Sequence, residues 1–361
     1  MMDRQQYIEL GSEFHLNPDD LFLKRNNVVA YFERNYDVLW VDSGRTAIKL
    51  VDFEKDKKIL LPEYICESVI NCFDRGKIVF YKIKSDLSID MDDLLCRMSE
   101  QIGLVFWVNY FGHLQSQSDI LKIKRNAEFY GITSVEDNTQ SLFSKHDCIA
   151  DYMIASVRKW IPIPHGGILY TTKGKLSGVG EKISLDKYYD NRKVSAMILK
   201  DLFLHEGLDV NSSYRQIFQS CEEMFDRCDA SRMSDLSKFI ASCCDIDEII
   251  AKRRSNYRFV KSLLGEIGIT PRDGIDSIDC PFVFLMKISN RDRFRKYLME
   301  NRIYCAVHWP FDDYLAEYRH QAKENGETFI SLPIDQRYTK KELTYMVDVI
   351  KKYGDELRCY K

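Results

Sequence analysis

The chain has 361 residues, of which 45% are hydrophobic and 30% are charged, a balance typical of folded globular proteins and not of disordered ones. The 52 Lys and Arg residues are offset by 55 Asp and Glu residues, and a net charge of −3 argues against a nucleic-acid partner, which requires a basic excess. The apolar stretches are too short for a membrane span and the N-terminal residues form no apolar signal core, so we expect a cytoplasmic protein.

The first half of the chain alternates short apolar runs with helical patterns. Strands are predicted at residues 37–41, 58–61, 78–83, 103–110, 132–135, 152–155 and 167–170. The intervening helices are expected to begin after Ser43-Gly44, at Pro62, at Met91 and at Ser118, with Gly76 and Gly131 ending the second and fourth in a left-handed conformation. This rhythm predicts an α/β fold whose mostly parallel sheet has helices on both faces and binding groups at the carboxyl ends of its strands.

The second half predicts an exposed loop, a helical region and a smaller α+β unit. We expect the loop at residues 173–193, mixed helix at 197–233, an amphipathic helix at 245–264, strands at 281–288 and 303–307, and helices at 291–301 and 343–353. The predicted large domain covers residues 1–240, with an N-terminal segment that packs on the small domain. The predicted small domain covers residues 241–361.

Several common signatures are missing from the sequence. It contains no G-x-G-x-x-G, no P-loop, no H-E-x-x-H and no Cys/His cluster with zinc spacing, so no metal site is predicted. Eleven cysteines without a C-x-x-C pair are interpreted as reduced thiols.

The segment Ser43-Gly44-Arg45-Thr46 lies between a predicted strand and a helix. Backbone N–H groups at such a helix start can bind a phosphate, and Gly44 allows close approach. Taken alone, the segment favours the alternative of an N-cap Ser followed by a packing Gly.

The segment Glu136-Asp137-Asn138-Thr139-Gln140 also follows a predicted strand. The Asp137 carboxylate can pair with a protonated ring nitrogen of a ligand, and the Gln140 amide can donate a hydrogen bond to a ring oxygen. A solvated Asp that caps the next helix is the alternative.

A lysine follows the next strand, in Ser156-Val157-Arg158-Lys159. Lysine forms Schiff bases with aldehydes, and the neighbouring Ser156 and Arg158 suit a phosphate. A surface lysine is the alternative. The turn Pro162-Ile163-Pro164-His165-Gly166-Gly167 brings the chain back beside this lysine. A phosphate cradle, an Asp, a Lys loop and Gly-Gly, in that order, are the groups that pyridoxal 5′-phosphate requires.

At these residues the sequence resembles the DegT/DnrJ/EryC1/StrS sugar aminotransferases, which have the aspartate-aminotransferase fold (fold type I). The resemblance rests on the segments Ser43–Ile48, Leu61–Tyr64, Asn109–Gly112, Val135–Ser141, Ser156–Lys159, Gly166–Gly167, Arg232–Ser234, Arg253–Tyr257 and Leu332–Asp335, in the family's order. It implies a pyridoxal-phosphate-dependent aminotransferase that transfers an amino group from an amino acid, glutamate in the family, to a nucleotide-linked keto sugar. It also implies a homodimer acting in cell-surface polysaccharide or secondary-metabolite biosynthesis.

The resemblance assigns each site residue a role. Lys159 would form the Schiff base and act as the proton carrier, and Asp137 would keep the ring nitrogen protonated. Gln140 would bind the ring 3-oxygen. The phosphate would be taken by Ser156 and the segment of Gly44, Arg45 and Thr46, and Tyr64 would stack on the ring. Two departures stand out: Ser156 precedes Lys159 by three positions where the family usually has five, and Ala230 replaces the family's cross-subunit Asn.

Three alternatives remain. A serine acyl-transfer enzyme would use Ser156-x-x-Lys159 but needs S-D-N and K-T-G elements, which the sequence lacks. A pyridoxal-phosphate-dependent sugar dehydratase would carry His in place of Lys159. A non-catalytic or regulatory homologue would bind the cofactor without turnover. The segment His308-Trp309-Pro310 is interpreted as a packed turn in preference to a cleft wall.

Overall fold

The computed structural model of the chain describes residues 8–172, 174, 176, 190–227, 230–271, 280–311, 314 and 316–354. The strands are β1 (Leu10–Gly11), β2 (Asp37–Val41), β3 (Lys58–Pro62), β4 (Ile78–Tyr81), β5 (Ile102–Val108), β6 (Thr133–Asp137), β7 (Tyr152–Ala155), β8 (Gly167–Thr171), β9 (Phe284–Lys287), β10 (Ile303–Tyr304) and β11 (Phe329–Leu332). The helices are α1 (Val28–Asn35), α2 (Gly44–Lys49), α3 (Glu67–Ile70), α4 (Met91–Arg97), α5 (Gln117–Tyr130), α6 (Asp190–Glu206), α7 (Asn211–Arg227), α8 (Asp235–Ser242), α9 (Ile246–Gly265), α10 (Arg291–Glu300), α11 (His320–Thr328) and α12 (Lys340–Lys352).

A seven-stranded sheet with the order β2-β8-β7-β6-β5-β3-β4 forms the centre of the molecule. Strands β4, β3, β5, β6 and β7 pair in parallel, whereas β8 runs antiparallel to both β7 and β2. All seven residues of β5 are buried, as expected for a strand covered on both faces. The predicted α/β fold with a mostly parallel sheet is therefore confirmed, with β8 as the reversed strand.

The segment after Pro62 differs from the prediction. Pro62 does not open a helix but ends β3, where it pairs only with β4 because the ladder with β5 has already ended. The α-helix is confined to Glu67–Ile70, and Gly76 lies in a 3-10 turn, Arg75–Lys77, that the Asp74 side chain caps. The apolar residues here have helical spacing, but the helix that forms is only about one turn long. It ends well before Gly76, so Gly76 does not act as its left-handed C-cap.

The start of α5 also shifts, whereas its end is as predicted. The N-cap is Ser116 and not Ser118, and Ser116 makes no side-chain capping hydrogen bond. Gly131 ends the helix in the left-handed region at φ 66°, which a glycine adopts without a Cβ clash.

Most of the predicted loop at residues 173–193 lies outside the described residues. Its last part is not a loop, because α6 begins at Asp190 and both Asp190 and Lys193 are buried. Each has a partner that accounts for the burial: His165 Nε2 lies 2.7 Å from Asp190 Oδ1, and Lys193 Nζ lies 2.6 Å from Glu222 Oε1.

The described residues form two apolar cores. The larger surrounds the seven-stranded sheet, and the smaller surrounds the two-stranded sheets β1-β10 and β9-β11 together with α9, α10 and α12. Helix α9 passes from one core to the other: Ile246 and Ile249 pack in the larger, Val260 and Leu264 in the smaller. The division at residues 240/241 stays a prediction.

None of the helices in the described ranges combines the length and the apolar composition that crossing a membrane requires.

Candidate active site

A cavity of about 340 Å³ lies at the carboxyl edge of the parallel strands. Six of the predicted site residues line it: Gly44, Arg45, Asp137, Gln140, Ser156 and Lys159. The first and last of them, Gly44 and Lys159, are 115 positions apart in the sequence. They meet because β2, β6 and β7 end at this edge of the sheet. Thr46 and Tyr64 lie beside the cavity but are not part of its lining.

Asp137 is the last residue of β6 and is 7% exposed. Its Oδ1 accepts a hydrogen bond of 2.8 Å from the Thr139 amide, which fixes the carboxylate. Burial raises the pKa of Asp137, although the hydrogen bond from Thr139 and the charge of Lys159 oppose that change. No Lys, Arg or His of the described residues forms an ion pair with this carboxylate, so a cationic ligand would find a ready acceptor.

Gln140 follows three residues later and is 1% exposed. Its Oε1 accepts a hydrogen bond from the Phe111 amide at 3.1 Å, and this contact fixes the orientation of the side chain. Its Nε2 is buried and has no hydrogen-bond partner among the described residues. A buried, unused donor in a cavity wall suits a ligand oxygen.

The turn from β2 into α2 forms one end of the cavity. Ser43 is the N-cap, and its Oγ accepts a hydrogen bond from the Thr46 amide at 3.1 Å. The Thr46 amide is therefore already used within the turn, and Thr46 itself is buried. The Ser156 side chain approaches this turn, since a Cβ placed on Gly44 would lie 3.6 Å from the Ser156 Cβ.

Lys159 ends a 3-10 turn, Val157–Lys159, directly after β7 and is half-buried. Burial lowers the pKa of Lys159, and the nearby Arg158 lowers it further, whereas Cys66 and Asp137 act in the opposite direction. A lowered pKa increases the neutral fraction of the amine, which is the form that attacks an aldehyde.

The predicted turn after Lys159 returns the chain to the same edge of the sheet. The Arg158 amide donates a hydrogen bond to the Gly166 carbonyl at 3.2 Å. Gly167 then begins β8 against the β2–α2 turn, where a Cβ would lie 2.4 Å from the Ser43 carbonyl carbon. Only glycine fits at this position, so Gly167 holds the Ser43–Gly44 turn against the sheet.

Tyr64 occupies an aromatic cluster next to the cavity. Its hydroxyl donates a hydrogen bond to the His308 carbonyl, and its ring centroid lies 5.4 Å from that of Tyr110 and 5.2 Å from that of Trp309. The ring is 2% exposed and therefore has no free face for a ligand. Cys66, two residues later, lines the cavity in its place.

Sequence reasoning missed one wall of the cavity. Helix α7 supplies Phe225, over whose ring the guanidinium carbons of Arg45 and Arg158 lie at 4.7 and 5.4 Å. The same helix carries Glu222, which does not line the cavity but whose Oε2 lies 3.5 Å from Arg158 Nη2. No motif marks these residues, and their spacing is that of an ordinary amphipathic helix.

His308 and Trp309 also line the cavity, so the segment predicted as a packed turn is in fact a cleft wall. His308 Nδ1 lies 2.8 Å from Ser331 Oγ. Burial lowers the pKa of His308 to about 3, and the Lys159 charge contributes to the same effect. The imidazole is therefore neutral at physiological pH.

A second cavity of about 400 Å³ adjoins the first, and Arg158, Lys159 and His308 line both. Two of its arginines are committed to the protein: Arg337 binds both carboxylate oxygens of Asp335, and Arg253 donates to Gln336 and to backbone carbonyls. Arg295 donates its Nε–H to the Cys305 carbonyl at 3.0 Å and has no ion pair with a described residue. Lys159 therefore lines both cavities. The second cavity also contains Arg295, a cation without an ion-pair partner among the described residues.

The chain matches no protein-family model and no curated protein. Its fold, however, closely follows solved structures. The sugar aminotransferase CalS13 from Micromonospora echinospora superposes with a TM-score of 0.62 at 15% identity, over 96% of this chain and 100% of that one. A DegT DnrJ EryC1 StrS aminotransferase from Brucella abortus superposes with a TM-score of 0.61 at 13% identity, over 92% of each chain.

DesI, solved in the presence of its TDP-sugar product, superposes with a TM-score of 0.65 at 14% identity, over 96% of this chain and 93% of that one. At such low sequence identity, these superpositions establish the fold and nothing beyond it. The predicted fold type I architecture is therefore confirmed.

Proposed function

We propose that the chain is a pyridoxal-phosphate-dependent aminotransferase that transfers an amino group from an amino acid, with glutamate as the expected donor, to a keto sugar. The observation that carries the proposal is the convergence of Lys159, Asp137 and Gln140 on one cavity. The sequence motifs predict these three residues independently, and the fold is one that solved sugar aminotransferases share.

The residues present fit pyridoxal phosphate at each of its polar groups. The buried Asp137 carboxylate has no ion-pair partner among the described residues, and a pyridinium N–H supplies one. The buried Gln140 Nε2 lacks an acceptor among the same residues, and the ring 3-oxygen supplies one. The phosphate is assigned to the Ser156 hydroxyl and to the amides of Gly44 and Arg45, where Arg45 adds a positive charge.

When bound, pyridoxal phosphate supplies an aldehyde that condenses with amines and a ring that accepts electrons. Lys159 would hold the aldehyde carbon in the absence of substrate and would release it to the donor's amine. Its free amine would serve first as base and then as acid at the substrate Cα. Asp137 would keep the proton on the ring nitrogen, and Gln140 would orient the ring.

The second cavity is the proposed substrate space. Arg295 is the candidate for the carboxylate of the amino donor, because a guanidinium without an ion pair binds carboxylate in a bidentate manner. His308 lines both cavities and, because its pKa is lowered, adds no positive charge of its own there.

The acceptor is proposed to be nucleotide-linked, as in the DesI structure with its TDP-sugar product. A role in cell-surface polysaccharide or secondary-metabolite biosynthesis and a homodimeric assembly belong to the same proposal. The dehydratase alternative is less favoured because Lys159 occupies the position at which that branch carries His. The response of the bound cofactor to an amino donor distinguishes the regulatory alternative from an aminotransferase.

The test begins with the absorption spectrum of the purified chain after addition of pyridoxal phosphate. Borohydride reduction followed by peptide mapping should place the reduced cofactor on Lys159. In a separate, unreduced sample, adding glutamate should abolish the absorption of the lysine-bound cofactor and release 2-oxoglutarate. A label on another lysine overturns the site. A label on Lys159 with no response to any amino donor favours the regulatory alternative.

A further inference from the structure

Three potential metal ligands meet on the side of β6 that faces away from the cavity. Successive side chains of a strand point to opposite faces, so Glu136 points away from the space that Asp137 lines. His146 Nε2 lies 3.1 Å from Glu136 Oε1 and 3.6 Å from Cys148 Sγ. The ligand atoms of all three lie within 4.8 Å of one another. We propose that Glu136, His146 and Cys148 form a zinc site.

The separations match those of a zinc coordination shell. With Zn–N and Zn–O distances near 2.0–2.1 Å, Zn–S near 2.3 Å and tetrahedral angles, neighbouring nitrogen and oxygen ligands lie about 3.4 Å apart, and nitrogen and sulfur about 3.6 Å apart. The observed separations of 3.1 Å and 3.6 Å are close to these values, and the third pair, Glu136 and Cys148, lies within 4.8 Å.

Outer contacts already orient these ligands. His146 Nδ1 lies 3.1 Å from the Ser144 carbonyl, which places the proton on Nδ1 and leaves the Nε2 lone pair for a metal. The Asn109 amide donates to Glu136 Oε1 at 2.7 Å. The Tyr36 hydroxyl lies 3.7 Å from Cys148 Sγ, close enough to stabilise a thiolate.

An independent observation points to a missing ligand. Glu136 is 3% exposed, and its Oε2 is buried without a hydrogen-bond partner among the described residues. A buried carboxylate oxygen without a donor is costly, and a metal ion removes that cost. One carboxylate and one thiolate also balance the two positive charges of zinc.

The donor set selects the metal. A thiolate beside an imidazole favours zinc and disfavours Mg²⁺ and Ca²⁺, which prefer oxygen ligands alone. The connecting segment provides access, because Lys145 and Asp147 are exposed and His146 and Cys148 are half-buried. This leaves the fourth position open to water.

Zinc here would act next to the proposed active site. Asn109 donates to both Glu136 and Asn138, the two neighbours of Asp137. Holding Glu136 therefore holds the end of β6 from which Asp137 projects. The site itself does not depend on the proposed aminotransferase function, because none of its ligands lines the cavity.

The test is a metal titration of the full chain, cofactor-free and cofactor-loaded, after dialysis against a chelator. Co²⁺ should bind at one equivalent with a thiolate charge-transfer band and tetrahedral visible bands, and Zn²⁺ should displace it. This measurement on the native chain needs no variant. If the cobalt-loaded chain lacks a thiolate band, the proposal is overturned.

Variants then assign the ligands. Cys148→Ser should remove the thiolate band, and both Cys148→Ser and His146→Gln should weaken zinc binding by more than the roughly 10–100-fold that loss of an outer partner costs. Cys96→Ser, at an exposed free thiol, should leave binding unchanged. So should His205→Gln, in the other group of potential ligands, His15, Asp201 and His205. Equal zinc affinity in Cys148→Ser and the native chain would mean that Glu136 and His146 form only an ion pair.

Discussion

At the scale of single residues, burial shifts the two central groups of the proposed active site toward their neutral forms. It lowers the pKa of Lys159 and raises the pKa of Asp137, and the charge that each exerts on the other opposes both changes. Strongly perturbed groups in a cleft are candidate functional residues. Three predictions belong to this scale.

Lys159→Ala should lower aminotransferase turnover by on the order of 10²–10⁴-fold, because it removes the proposed proton carrier. The measurement is the single-turnover rate of 2-oxoglutarate release from glutamate, which needs no keto-sugar acceptor. Lys122→Ala, on the exposed face of α5, is the matched control and should retain native turnover. Native turnover in Lys159→Ala would remove the basis of the proposed mechanism.

Asp137→Asn should lower turnover by on the order of 10²–10³-fold, because it removes the charge that stabilises the protonated ring nitrogen. It should also stabilise the cofactor-free chain at pH 7. A raised folded-state pKa means that the folded chain holds the proton more tightly than the unfolded chain. Stability therefore falls as the pH rises from the ordinary value of 3.8 through the raised value.

The Asn variant does not pay this penalty and keeps the oxygen that accepts from Thr139. Thermal melts of both cofactor-free proteins check the prediction: the variant should melt at the higher temperature at pH 7, and the difference should shrink toward pH 4. A variant that melts below the native chain at pH 7 would contradict it.

Arg295→Met should raise the KM for the amino donor roughly 10- to 100-fold and change kcat less, because hydrogen bonds to a charged group contribute about 1.5–3 kcal/mol. Arg293→Met, at an exposed position two residues earlier on α10, is the control. A raised KM for the keto sugar alone would reassign the second cavity to the acceptor.

At the scale of secondary-structure elements, the reversed strand β8 joins the lysine loop to the proposed phosphate cradle. It pairs with β7, which leads to Lys159, and with β2, which leads to Ser43. Because β8 runs antiparallel to both, its first residue, Gly167, lies at the edge where those strands end. The Gly-Gly motif is therefore a packing requirement of the site.

Gly167→Ala should destabilise the chain by about 1–3 kcal/mol and weaken cofactor binding, because the added Cβ would overlap the Ser43 backbone. Urea unfolding and a pyridoxal phosphate titration measure the two effects. Gly265→Ala is the control, since no heavy atom lies within 4 Å of its added Cβ. Equal cofactor affinity in the two variants would show that the turn tolerates the displacement.

At the scale of the whole molecule, the N-terminal segment links the two cores. Leu10 packs in the smaller core, where β1 pairs with β10. The adjacent Glu9 is buried against helices α6 and α7, with Oε1 2.9 Å from Lys200 Nζ and Oε2 3.3 Å from Arg215 Nη2. The lysine is 1% exposed, so the Glu9–Lys200 pair is a desolvated contact between the two parts of the molecule.

Lys200→Met should lower the free energy of unfolding by about 3–5 kcal/mol, because it leaves the buried Glu9 carboxylate with Arg215 as its remaining ionic partner. The double variant Glu9→Gln/Lys200→Met should recover much of that loss, since it removes both charges. Urea unfolding of the three proteins forms the test. A single variant as stable as the native chain would show that Arg215 alone compensates Glu9.

Some elements could be predicted to the residue from sequence. Strands 37–41 and 152–155 have the predicted bounds, because polar and turn-forming residues interrupt each apolar run at both ends. The prediction that a helix begins at Pro62 was wrong, because the spacing of apolar residues does not define where a helix starts or how long it is. How the neighbouring strands pair decides where the backbone leaves β3.

The sequence by itself determined the sheet and the chemistry of its edge: alternating apolar runs, with Asp137, Gln140, Ser156 and Lys159 directly after strands. Local patterns suffice for this because neighbouring parallel strands end at one edge. Only the tertiary structure decided what surrounds that edge, including Phe225 and His308, the enclosure of Tyr64, and the contact of Glu136 with His146 and Cys148. Those contacts depend on how distant segments pack, and packing depends on shape and burial, which leave no fixed spacing in the sequence.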